Sequence, residues 1–151
     1  MIFKIRGIPR PWPKIETNRY GGSFKKDEKG YWKGFEQSLL TQLAIQIQEQ
    51  KYIICSKDKS LAMEMVFFMP KPEKPEHDFP FAVDLSNLYY GVENTLKKYV
   101  YSDDRQIVMF LPCLKLYCLD NEEPQTWICL QGSNEPRRLL MEVLDVWGEG
   151  R

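Results

Sequence analysis

The stretch Asp84–Ile107, DLSNLYYGVENTLKKYVYSDDRQI, decides how this chain is built. Leu85, Leu88, Val92, Leu96 and Tyr99 recur at three- and four-residue steps, which predicts a helix from about Leu85 to Lys98. Asp84 or Ser86 suits its N-cap, and Lys97 and Lys98 suit the negative end of its dipole. Gly91 costs about 1 kcal/mol there relative to Ala and marks a place where another backbone comes close. Ser102-Asp103-Asp104 then reads as a turn into a new apolar run.

Upstream, SLAMEMVFFM (60–69) reads as a strand with Leu61, Met63, Met65, Phe67 and Met69 on one face. Downstream, residues 105–118 and 126–131 read as a hairpin joined by LDNEEPQ, with Pro112 marking an edge strand or a bulge. Residues 2–7 alternate apolar and basic, as a first strand does. A helix over 30–50 carries the stripe Trp32, Phe35, Leu39, Leu43 and Ile47, with Gln and Glu on its other face. A last helix opens near Asn134 and presents Leu139, Leu140, Val143, Leu144 and Trp147. Residues 8–29 read as one long loop, and 70–80 as a proline-rich one. The expected order is β-α-β-α-β-β-α, a single α+β domain over 1–151 whose mostly antiparallel mixed sheet carries packed helices.

At 151 residues and 43% apolar content, one core in one domain is expected. No apolar run nears the roughly 20 residues that span a bilayer. The N-terminal residues lack the apolar core of a secretory signal, so a cytoplasmic protein is expected. Cys55, Cys113, Cys118 and Cys129 form no CxxC pair and His77 is the sole histidine, which argues against zinc. Net charge is zero, yet residues 1–33 hold nine Lys/Arg against three acids. Such an arm can track a phosphate backbone.

The chemistry lies in the central stretch. A carboxylate at the helix start (Asp84) and others at the strand start (Asp103, Asp104) can meet at a sheet edge, with Asn87 one turn into the helix. Magnesium in phosphoryl-transfer sites takes one or two carboxylates, waters and substrate phosphates. The same residues also suit a plain helix cap and a plain turn.

The block Asp84-Leu-Ser-Asn-Leu-Tyr-Tyr, then Asn94-Thr-Leu, then Asp103-Asp-Arg-Gln-Ile, resembles the signature of the RusA family of Holliday junction resolvases. The proline- and arginine-bearing stretch Gly7–Lys14 and Lys115 match more weakly. The resemblance implies a homodimer that binds branched or duplex DNA and cuts it with magnesium. Carried over, Asp84 and Asp104 become catalytic metal ligands beside Asp103. Asn87 orders the cation's water shell. Arg10, Lys14, Arg19, Lys25, Lys26 and Lys115 contact DNA.

The chain departs from that pattern at three positions. Ser86 replaces an aspartate, Tyr90 a lysine and Asn94 an aspartate. The neutral serine weakens magnesium affinity. Losing a positioned cation at a developing oxyanion costs about 2.7–4 kcal/mol, a hundredfold or more in rate. The expected function is therefore a RusA-like junction-binding protein whose endonuclease activity is weakened or lost. The alternatives are a non-catalytic nucleic-acid module, with Trp12, Tyr20, Phe24, Tyr31 and Trp32 as stacking candidates, or a protein-interaction module using Tyr89 and Tyr90.

Overall fold

The computed structural model describes residues 1–17, 23–27, 30–97 and 99–133. In chain order these form β1 (Ile2–Arg6), β2 (Lys14–Thr17), β3 (Ser23–Lys26), α1 (Tyr31–Glu49), β4 (Leu61–Met69), α2 (Leu85–Leu96), β5 (Ile107–Tyr117) and β6 (Gln125–Gly132). The architecture is α+β. A four-stranded sheet runs β1-β6-β4-β5, with β1–β6 and β6–β4 antiparallel and β4–β5 parallel. Trp32, Phe35, Leu39 and Leu43 of α1 and Leu88, Val92 and Leu96 of α2 share one core with Phe3, Ile5, Ile128 and Leu130 of the sheet. The helix expected from Asn134 lies outside the described residues.

Strand β4 sets the topology. All nine of its residues are buried. Leu61, Met63, Met65, Phe67 and Met69 face the helices, while Val66 and Phe68 meet Trp127 and Cys129 on the opposite face. A strand apolar on both faces belongs in the sheet interior. This overturns the expected hairpin, because β4 lies between β5 and β6 and pairs with both. Helix α2 becomes the crossover joining the parallel strands β4 and β5. Edge strand β5 accommodates Pro112 as expected. Opposite Met63 and Met65 it advances from Phe110 to Cys113, one extra residue around the proline.

The long loop expected over 8–29 contains a two-stranded ribbon, β2–β3, with Lys14↔Lys26 and Ile15↔Lys25 as backbone partners. Four-residue strands are too short to give a readable period, so the sequence pattern concealed them.

Two devices attach α1. Gly30 at its N-cap has φ 67° and no side chain to cap with. The Asp27 carboxylate takes that place, accepting the N–H groups of Trp32 and Lys33, both at 3.0 Å. On the face expected to be merely polar, glutamines cover the outer edge of β1. Gln42 accepts the Arg6 N–H and donates to the Arg6 carbonyl, both at 2.9 Å. Gln46 does the same for Lys4 at 2.9 Å, and Gln50 donates to the Ile2 carbonyl at 3.2 Å. Four helical residues advance about 6 Å and two strand residues about 6.6 Å, so the two repeats stay in register.

Candidate functional site

The N-terminal end of α2 gathers the first half of the site. Asp84 occupies the N-cap with extended backbone, and its carbonyl accepts the Leu88 N–H at 3.2 Å. Among the described residues its exposed carboxylate caps no backbone N–H and accepts only a long bond from Asn87 Nδ2, 3.4 Å. Ser86 and Asn87 are exposed beside it. The segment after β1 docks here, because the Trp12 N–H donates to the Asn87 carbonyl at 2.9 Å. The Trp12 ring stands edge-on to Tyr90 (5.7 Å) and to Trp32 (5.0 Å), and the Arg10 guanidinium lies 4.6 Å over Tyr31.

From the end of β5, the Lys115 ammonium donates to the Val83 carbonyl. Lys115 thus comes close to Asp84, but its charge ties down the turn into α2. Tyr90, where the resembled pattern has lysine, serves as a half-exposed platform for Trp12. The Asn94 amide bonds back to the Tyr90 carbonyl at 2.8 Å.

The second half lies at the other end of α2. Asp103 accepts the Arg105 N–H at 3.0 Å and grips its guanidinium through two bonds, 3.0 and 2.7 Å. That partner holds the Asp103 carboxyl well below the usual carboxylate range. Asp104 pairs with Lys97 at 2.9 Å, which raises the pKa of the lysine. Glu93 stands nearby. Burial first, and repulsion from Asp104 second, push its carboxyl upward. Gln106, only 5% exposed, fastens the turn: its Oε1 accepts the Ser102 and Asp103 N–H groups, and its Nε2 donates to the Ser56 and Lys59 carbonyls. The Asp-Asp-Arg-Gln-Ile run therefore serves this chain as a capped turn with neutralised carboxylates. The sequence reading placed Gln106 in the resembled block but gave it no role.

The two halves do not meet within one chain. Twelve helical residues, about 18 Å of axis, separate the Asp84 end from the Lys97–Asp104 pair. Octahedral magnesium holds its oxygens at 2.0–2.1 Å. The expected meeting of Asp84 and Asp104 at one sheet edge is thus corrected by topology. β5 runs parallel to β4 and starts where α2 ends, so its first residues lie a full helix length from Asp84. Among the described residues, no group of three or more His, Cys, Asp or Glu side chains could hold a metal ion.

The basic set divides as well. Arg10 and Lys115 sit around the Asp84 end, and Lys14, Lys25 and Lys26 hold positions on the β2–β3 ribbon. Arg19 and Tyr20 lie outside the described residues. Trp32 is a core residue, 5% exposed, while Tyr31 is 52% exposed. Tyr89 is half-buried, and burial raises the pKa of its hydroxyl. Cys55 and Cys113 are half-buried, and Cys118 and Cys129 are buried. Among the described residues, no helix is long and apolar enough to cross a membrane.

Comparison with protein-family models gives no match. Comparison with curated proteins gives none either. The likeness to RusA rests on the residues quoted above.

Proposed function

We propose that this protein binds branched or duplex DNA, as a homodimer on a RusA-like fold, and that efficient strand cleavage has been lost. The observation behind the binding reading is the ribbon register. Lys14 and Lys26 oppose each other, next to Ile15 opposite Lys25. Like charges at directly opposed positions destabilise a two-stranded ribbon. A phosphate backbone offsets that repulsion and releases counterions. Arg10, stacked on Tyr31, extends the basic surface to the Asp84 end of α2. If magnesium takes part, Asp84 with Asn87 is the place for it, through one carboxylate, waters and DNA phosphate. Loss of cleavage follows from the separation of Asp84 from Asp104 and from the cations held by Asp103 and Asp104.

The test is fluorescence anisotropy on a labelled four-way junction and a matched duplex across a salt series. Affinity should fall steeply with salt, and the double variant Lys14→Gln/Lys26→Gln, at directly opposed positions of the ribbon, should flatten the log–log slope by about 2, one per lost phosphate contact. Binding indifferent to salt, or no binding, refutes the reading. Rapid junction cutting with magnesium or manganese, abolished by Asp84→Asn, would overturn the loss of catalysis. Light scattering on the purified chain checks the dimer.

A further inference from the structure

Beside the Asp84 end of α2 lies a cleft of about 440 Å³, and Arg10 is the one residue of its lining that the DNA reading uses. Its walls come from four segments: the turn after β1, the end of β4 with the stretch after it, the residues leading into α2, and Tyr117 at the end of β5. Ile8, Phe81 and Val83 are among its apolar lining residues, and Tyr117 also lines it. Five of its lining residues are prolines, whose fixed φ makes the wall rigid before anything binds. Arg10 and Lys71 are the charged residues of the lining, and no acid joins them. Phe81 is 66% exposed and packs against His77, centroids 4.6 Å apart, with Phe79 6.1 Å away.

We infer that this cleft is a docking site for an acidic peptide segment of a partner protein, with one large apolar side chain as the anchor and flanking carboxylates. The volume lies in the range of clefts that hold a compact ligand. Apolar atoms dominate the lining, and an apolar side chain loses no hydrogen bond on entering it. Two cations with no acid among them select negative charge beside that anchor. The acids of the neighbouring loop, Glu73, Glu76 and Asp78, are exposed and stand outside the lining. Lys71 is held by Asp120 only at 3.7 Å between exposed side chains, an ion pair that a ligand carboxylate readily replaces.

The experiment uses three probes on the ¹⁵N-labelled full chain: acetyl-Asp-Trp-Asp-amide, acetyl-Lys-Trp-Lys-amide and acetyl-Asp-Ala-Asp-amide. The first should shift the amides of Ile8, Arg10, Phe81 and Val83 with saturable binding. Each of the other two should bind at least about tenfold more weakly, the scale of losing one anchor or one charge contact. Phe81→Ala, an exposed change that leaves the core intact, should weaken the first probe at least about fivefold without altering salt-dependent DNA affinity. Equal binding of all three probes, or no effect of Phe81→Ala, overturns the assignment. So does a thymidine dinucleotide that shifts these amides at lower concentration than the peptide, because the cleft would then belong to nucleic acid. No response to any probe also overturns it, and the DNA reading is unaffected.

Discussion

Gly91→Ala sets two effects of known size against each other. In an isolated helix the change gains about 1 kcal/mol. Here an added Cβ would lie 2.4 and 2.5 Å from Cη2 and Cζ3 of Trp32. Ordinary carbon contacts are about 3.5–4.0 Å, so about 1 Å must be absorbed. The indole cannot swing away. It is 5% exposed, flanked by Trp12 at 5.0 Å and Phe35 at 5.7 Å, and its backbone N–H is held by Asp27. Overpacking of this kind costs about 1–3 kcal/mol. The expected net loss is up to about 2 kcal/mol, which lowers Tm by up to roughly 8 °C for a chain of this size. Gly34→Ala is the control. It is also in a helix, is exposed, and its new Cβ meets nothing within 4 Å, so it should gain up to about 1 kcal/mol. The assay is urea unfolding followed by tryptophan fluorescence. A Gly91→Ala protein as stable as Gly34→Ala would refute the packing argument, since helix propensity alone would then govern both sites. The change also touches function: displacing Trp32 pushes Trp12, which carries the arm onto Tyr90 and Asn87.

Two further perturbations probe the frame around the site. Gln46→Ala removes both bonds to Lys4 and should cost about 1 kcal/mol, with faster hydrogen exchange at the Lys4 amide; unchanged exchange would show that the glutamine ladder does not protect the edge. Glu93 has a folded pKa above its ordinary value of 4.5, chiefly from burial and then from Asp104. Its folded state therefore favours the protonated form, and the stability this lends below pH 4.5 fades as pH rises through the folded value. Glu93→Gln should raise Tm at pH 7–8, with the gain shrinking toward pH 4. A gain independent of pH would remove the carboxyl's titration as the cause.

Much of the fold was legible because burial imposes a period. The stripes of α1 and α2, the burial of β4 and the proline at an edge strand follow from spacing and from the missing N–H of Pro112. Pairing did not follow. Residues 105–131 read as a hairpin because nearby strands usually pair, and nothing local in them shows that β4 inserts between. The β2–β3 ribbon escaped for lack of length. The glutamines of α1 looked like a solvent face, because the carbonyls they satisfy belong to a strand some forty residues away.

The motif divides in the same way. Its residues and intervals are properties of the chain: Asp84 before a helix, Asp103-Asp104 after it, a basic arm ahead of both. A turn residue such as Gln106 carried no chemical signal, since its partners Ser56 and Lys59 are distant in sequence. Sequence alone determined which groups are present, and tertiary structure decided which of them meet. A helix of 12 residues is a rigid spacer, and the parallel pairing of β4 and β5 puts Asp84 at one of its ends and Asp104 at the other. The same crossover brings Phe81 and Tyr117 to one cleft, where Ile8 from the turn after β1 joins them.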